Sequence, residues 1–361
     1  MSELSRRGFL KLCAGSVAAV SLSQVLLPEL AKAAPASGNP PVIWIQGASC
    51  TGCSISLLNS GQPGMKEILT EIIDLKFHPN VSAAAGDLAM KVIDDTRDAG
   101  KYYLVVEGAV PTKNGGIYCT VGERDGKHVI FQDRVKELAK NADAVIAIGT
   151  CASYGGVAAA KPNPTGCKGV DAVLKEAGIE TPVVNIPGCP IHPDWFVGAL
   201  AHILLFKEVP ELDKIGRPTV FYGKCVHDNC PRRQYFDASV FAKNFSEPGC
   251  LLEIGCKGPL AHCDSFDRLW NSGVNWCIKS GAPCLGCTEK DFPDCATPFY
   301  ERMPGVNLPG ITASADAVGG VLGVAVAAGI GAHLVGSIAK GRTGKKEEGG
   351  RNKCRRSQLI R

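Results

Sequence analysis

The sequence predicts an α/β protein: a doubly wound parallel sheet, then a smaller irregular domain rich in cysteine, then a C-terminal transmembrane helix. Three observations predict it. Between residues 40 and about 215, short β-branched apolar runs alternate with helical patterns, the arrangement that packs helices on a parallel sheet. From 216 to 309, Cys, Gly and Pro are frequent and long periodic segments are scarce. From 317 to 339, 23 residues pass without an Asp, Glu, Lys or Arg.

At the N-terminus, "SRRGFLK" (5–11) precedes the apolar run "LCAGSVAAVSLSQVLL". "AKAA" follows, with Ala31 and Ala33 as small cleavage-site residues. Residues 1–33 therefore read as a removable signal, and Arg6-Arg7 names the twin-arginine route. That route carries folded proteins, so a cofactor can be installed before export.

The strand-length runs are "VIWIQG" (42–47), "YLVVEG" (103–108), "AVIAIG" (144–149) and "VVNIPG" (183–188). Each is nearly continuously apolar, as burial on both faces requires, and each ends in Gly. Helical patterns lie between them, among them "MKEILTEIIDL" (65–75) and "QDRVKELAKN" (132–141). The strands are followed by "GASCTGC", "EGAVP", "GTCASYGG" and "PGCP". Open parallel sheets bind ligands beyond the carboxyl ends of their strands. Cys50, Cys53, Cys151 and Cys189 thus belong to one edge, although they span 140 residues of chain. No G-x-G-x-x-G follows the first strand, which argues against a dinucleotide site.

The span 317–339 is long enough to cross a bilayer and holds His333, read as a helix-packing residue. The tail 340–361 carries nine basic and two acidic side chains, which places it on the cytoplasmic side and the body outside. This tail and the signal more than account for the net charge of +4, so the body is mildly acidic. Such a body offers no electrostatic footprint for nucleic acid.

The chain has 17 cysteines, an odd count that a pure disulfide framework does not favour. Position sorts twelve candidate ligands into three sets. The first is Cys50, Cys53, Cys151 and Cys189. The second is His227, Cys230, Cys250 and Cys256, from "VHDNC" and "PGCLLEIGC". The third is Cys263, Cys277, Cys284 and Cys287. Thiolates bind iron–sulfur clusters, usually four to a cluster, and structural zinc uses C-x-x-C as well. On the residues alone, iron–sulfur clusters, zinc and disulfides all stay open, and a zinc-stabilised exported binding protein without redox role is the alternative function.

The motifs "GASCTGCSISLLN", "VEGAVP", "GTCASYGG", "PGCPIHPDW", "HDNCPRR", "GCKGP" and "CLGC" resemble the small subunit of nickel–iron hydrogenases, in order over residues 40–300. The resemblance implies a flavodoxin-like domain (40–215) and a cluster domain (216–309). It implies three 4Fe-4S clusters that relay electrons for H2 oxidation or evolution. The first set matches the proximal cluster, nearest the active site of a large subunit. His227, Cys230, Cys250 and Cys256 match the distal cluster, and Cys263, Cys284 and Cys287 the medial one. The nickel–iron centre is expected only in the large subunit. The C-terminal helix implies a membrane partner, a b-type cytochrome or other quinone-linked protein, at the outer, periplasmic face.

Cys277 departs from the common pattern, which has Pro there and a 3Fe-4S medial cluster. A fourth thiolate implies 4Fe-4S, as in the nickel–iron–selenium branch, and a lower medial potential. Oxygen-tolerant relatives carry two extra cysteines beside the proximal cluster, where this chain has Gly52 and Gly156. An ordinary proximal cluster is therefore expected. His227 makes the distal cluster less negative, and Arg232 and Arg233 follow it closely. Glu107 ends the second strand beside the proximal set, either to move protons or to bind backbone amides. Cys13 leaves with the signal, and Cys354 lies in the tail. Cys119, Cys167 and Cys295 read as small buried apolar residues, and Cys225 is unassigned. Purified protein is expected to be brown with broad visible absorption. A colourless, zinc-containing preparation would favour the alternative.

Overall fold

Five parallel strands carry the fold. The computed structural model describes Gly8 and residues 39–61, 63–301, 306–308, 311–313, 324, 326, 328–333, 335 and 336. In it, β1 (Pro41–Gln46), β2 (Asp74–Phe77), β3 (Tyr103–Glu107), β4 (Ala144–Ile148) and β5 (Val183–Ile186) form one sheet in the order β2-β1-β3-β4-β5. Every pairing in it is parallel. This is the flavodoxin-like doubly wound order. All four predicted strands are present. β2 is additional and takes the end of the predicted helix 65–75. That segment is α-helical at Met65–Glu67 and π-helical at Ile68–Ile72. It then turns extended, because Asp74 and Leu75 pair with Pro41 and Val42.

Alternation along the strands divides the apolar residues between two cores. Val42, Trp44, Val105, Ile146 and Ile186 enter one, while Ile43, Ile45, Leu104, Val106 and Val145 enter the other. The second core is closed by α2 (Gly86–Ala99), α3 (Phe131–Ala139) and α5 (Val170–Glu176), through Ile93, Phe131, Val135, Val173 and Leu174. The first core takes α1 (Gly52–Leu57) and α6 (Pro193–Phe206). α6 is apolar all round and buried from Trp195 to Leu204, as a helix covered on both sides must be. The sheet covers one side, and Phe221, Trp276 and Ile278 of the cysteine-rich segment join the same core.

Residues up to Arg302 therefore form one compact unit, and the expected boundary at 215–216 lies inside it, at a change of texture. Between α6 and Glu301 the helices are short, such as Thr219–Tyr222, Arg233–Asp237 and Ser265–Arg268. Buried polar ties replace regular structure there. The Trp195 indole donates to Asp264 at 2.7 Å, and Arg268 bridges Asp264 at 2.6 Å and Asp194 at 3.2 Å. Such charges are tolerable in the interior because each is paired and hydrogen-bonded.

The second unit, Met303–Arg361, contains an antiparallel pair, Val306–Leu308 with Ile311–Ala313. The predicted signal, apart from Gly8, and the basic tail lie outside the described residues. The predicted span 317–339 is described only in part. Its described positions are helical, and Val324, Val326, Ile330 and Val335 are exposed. Among the described residues no helix is long and apolar enough to cross a membrane. Leu104→Ala, at a fully buried position of the central strand, is expected to cost about 2–5 kcal/mol, measurable as a lower melting temperature of the purified protein.

Candidate functional site

The first cysteine set lies where the strands end. β1 runs into Cys50 and Cys53, the latter in the first turn of α1, with Thr51 in the left-handed region at φ 64°. β4 runs directly into α4 (Gly149–Tyr154), which carries Cys151. β5 runs through Gly188 to Cys189. The four thiols lie close enough to oppose one another's ionisation. The Ile191 amide favours the thiolate of Cys53, and the Val157 and Ala158 amides favour that of Cys151. Gly149 makes the fit possible: at φ +82°, a Cβ there would stand 2.6 Å from Cys53 Sγ. Gly52 and Gly156 also face this set, since a Cβ would lie 3.0 Å from Cys50 Sγ and 2.9 Å from Cys151 Sγ respectively.

Glu107 anchors the set. Its buried carboxylate accepts from the Cys53 amide at 3.1 Å, the Ser54 amide at 3.4 Å, Gln46 at 3.0 Å, Trp44 at 3.3 Å and the Ser49 hydroxyl at 3.3 Å. Ser54 also donates its hydroxyl to Glu107 and contacts His78 Nε2 at 3.0 Å. Of the two roles open for Glu107, this network supplies backbone anchoring.

The second set gathers in a small cavity lined by His227, Cys230, Cys250 and Cys256, with Arg232, Arg233 and Ile278. His227 stacks edge-on to Phe236 at 4.5 Å, and its buried Nε2 has no hydrogen-bond partner. Burial, then Arg233, lowers its pKa, which keeps the neutral, metal-ligating form. Arg232 is fixed by donating to the Gly249 carbonyl at 2.8 Å, and Arg233 pairs with Asp228 and Asp237.

The third set brings Cys263, Cys277, Cys284 and Cys287 together. Cys277 is exposed as a residue, yet its thiol is turned inward toward Cys263 and Cys256. A local device recurs across both sets: the thiol accepts the amide two residues on. It holds for Cys230 with Arg232, Cys256 with Gly258 and Cys284 with Gly286, each at 3.4 Å.

The sets touch in series. Cys287 lies near Cys189 and Cys284 near Cys256, and the Lys257 amide, next to Cys256, donates to the Cys284 carbonyl at 2.7 Å. The third set thus stands between the other two, although it comes last in sequence. Thr150 adds a hydroxyl bond to the Cys287 carbonyl. Neither these links nor the Ser54 and His78 support of Glu107 were found from sequence, although Thr150 and Ser54 adjoin ligand cysteines in the quoted motifs.

The donor chemistry discriminates among the groups such sets can hold. All described cysteines are free, so disulfides are absent among them. Among the described residues no three His, Cys, Asp or Glu side chains converge on a single ion. A cubane with four separate irons does not require such convergence, and four thiols, or three and a free imidazole nitrogen, suit it. Burial pushes Cys263, Cys277 and Cys287 up to about 12, Cys189 to about 11, and Cys53 and Cys284 well above the usual thiol value. These sulfurs become thiolates only when a cation binds. The remaining thiols divide: Cys167 is buried, Cys119 and Cys225 are half-buried, and Cys295 is exposed rather than buried as expected.

Comparison with known proteins shows which family the chain resembles. Residues 50–203 match the family model for the 20 Kd subunit of NADH ubiquinone oxidoreductase. Residues 222–300 match the model for the C-terminal part of the NiFe/NiFeSe hydrogenase small subunit. The periplasmic NiFeSe hydrogenase small subunit of Desulfomicrobium baculatum is 46% identical over 82% of this chain and 99% of its own. The uptake hydrogenase small subunit of Cupriavidus necator is 37% identical over 96% of this chain and 95% of its own. The solved Ni-Fe-Se hydrogenase of Desulfomicrobium baculatum, in a reduced, active form, is similar at a TM-score of 0.71. It covers 73% of this chain and 100% of that chain at 46% identity.

A pH dependence follows from the raised thiols. Without metal, the unfolded chain ionises its cysteines from about 9, while the folded chain holds several protonated to about 12. The unfolded state then binds fewer protons, so stability falls as pH rises between those values and is untouched below them. Thermal melts of chelator-stripped, reduced protein across the alkaline range are expected to show this decline, and a flat profile would contradict it.

Proposed function

Since the chain belongs to the family of NiFe/NiFeSe hydrogenase small subunits, and is the oxidoreductase partner of a large subunit, we propose that it relays electrons through three 4Fe-4S clusters. The relay runs between the large subunit's active site and a membrane acceptor. The family sets aside the zinc-stabilised binding protein. The observation that carries the reading is the serial arrangement of the three donor sets, tied by the Thr150 hydroxyl to the Cys287 carbonyl and by the Lys257 amide to the Cys284 carbonyl.

Cys50, Cys53, Cys151 and Cys189 hold the proximal cluster, and Cys263, Cys277, Cys284 and Cys287 the medial one. His227, Cys230, Cys250 and Cys256 hold the distal cluster. Each cluster supplies reversible one-electron storage, while H2 ⇌ 2 H+ + 2 e− occurs in the partner. The residues here fix spacing, exclude water and tune charge. Amide N–H groups on the sulfurs spread the negative charge of a reduced site. Cys277 gives the medial site a full thiolate set and a lower potential than three ligands would, which levels the relay. His227 works oppositely at the distal site.

The sheet edge lies under the large subunit. Cys50 and Cys189 are exposed there, as are the apolar Ile55, Leu58 and Val157, a surface that suits burial against a partner. Twin-arginine export, a periplasm-facing body and an anchor at 317–339 complete the reading. Its supports are Arg6-Arg7, the charge-free segment with exposed helical valines, and the near-full-length match to an uptake small subunit. A b-type cytochrome or other quinone-linked protein is the proposed acceptor.

Anaerobically purified heterodimer is expected to carry about twelve iron and about twelve sulfide on this chain; their absence would overturn the cluster assignment. Cys277→Pro should convert the medial cluster to a three-iron form, seen as a new EPR signal in the oxidised state. An unchanged spectrum would remove Cys277 from the ligands. Deleting 317–361 should release the enzyme from membranes with its iron content intact.

A further inference from the structure

Two hydrogen bonds tie neighbouring donor sets, each to the carbonyl of a medial cysteine. Between the medial and distal sets the tie is main chain: the Lys257 amide, next to Cys256, donates to the Cys284 carbonyl at 2.7 Å. Between the proximal and medial sets it is a side chain: the Thr150 hydroxyl donates to the Cys287 carbonyl.

Thr150 is only 1% exposed, and it is clamped to the proximal side twice. Its hydroxyl oxygen accepts the Gly188 amide at 2.9 Å, and its own amide donates to the Gly188 carbonyl at 3.0 Å. Gly188 precedes Cys189, and Thr150 precedes Cys151. One residue is therefore locked to both late-strand loops of the proximal set while its hydroxyl grips the medial ligand Cys287. Orbital overlap falls more steeply across an open gap than along bonds and hydrogen bonds. The Gly188–Thr150–Cys287 hydrogen-bond chain is thus a bonded route along which an electron crosses more readily than through a gap.

We propose that Thr150 is the positioning residue of the proximal-to-medial electron step, its hydroxyl holding Cys287 against the loop that carries Cys189. In the direction of H2 oxidation, one electron leaves the proximal centre and one enters the medial centre. No atom or proton is transferred between them, and H2 is the reductant. This rests on the cluster assignment proposed above.

The test uses the intact heterodimer. Iron and sulfide analysis of the unaltered enzyme comes first; missing clusters would defeat the assignment itself and leave the hydroxyl geometry unaddressed. With clusters present, EPR of enzyme in which both centres are reduced reads the magnetic splitting between them, and freeze-quench after H2 addition reads the rate of medial reduction. Thr150→Val keeps the side-chain shape and drops the hydroxyl. It is expected to shrink the splitting and slow medial reduction several-fold at unchanged iron content. Thr150→Ser is expected to restore both.

Thr288→Val serves as the neighbouring control. It removes a buried hydroxyl beside Cys287 that donates to the His262 carbonyl at 3.0 Å, and it should leave the splitting at its original value. A fully loaded Thr150→Val enzyme with unaltered splitting overturns the proposal, as does equal loss in Thr288→Val. Should Thr150→Val fail to hold its clusters, Thr150→Ala decides in its place: reduced splitting at full iron supports the role of the hydroxyl, and unaltered splitting overturns it.

Discussion

A thiolate in a protein interior persists only where positive charge reaches it, because burial removes the water that would otherwise solvate it. Here Cys263, Cys284 and Cys53 are almost wholly enclosed. The buried arginines of the cysteine-rich segment are engaged by carboxylates: Arg217 by Asp213 and Glu289, Arg268 by Asp264 and Asp194. On the proposed assignment the compensating charge comes from bound metal. Backbone amides then do the finer work, through the repeated bond from residue i+2 to the sulfur. Such loops need little regular structure, which is why the segment after α6 has so little of it.

The sheet answers a different need. Parallel strands deliver successive loops to one edge, so residues far apart in sequence meet without long excursions. Glu107 shows how firmly that edge is held: a single carboxylate at the end of β3 gathers donors from β1, the Cys50–Cys53 loop and α1. The same buried charge raises the Cys53 thiol further, so the feature that orders the loop also sharpens its demand for a cation.

Much of this was legible in the sequence. Strands at 42–47, 103–108, 144–149 and 183–188 were readable because both faces are buried, so their apolar runs are unbroken. The edge location of Cys50, Cys53, Cys151 and Cys189 followed from strand polarity. β2 escaped because it is an edge strand, short, with Asp74 and Lys76 interrupting it. The other two groupings had no periodicity to reveal them and rested on motif resemblance. Their spatial order was likewise invisible, since the bonds that create it join residues such as Thr150 and Cys287, 137 positions apart. Pattern within a window cannot register a contact of that reach.

The interleaved threading of the donor sets also bears on how the chain becomes a conductor. Donors for the two outer sets are all synthesised by Cys256. The set between them is completed only by Cys287, the last of the twelve. On the proposed assignment, a chain cut short between those two residues would hold both outer sets of donors without the bridge between them. Continuity would therefore arrive only with Cys287, and a product truncated there could not carry current along the wire.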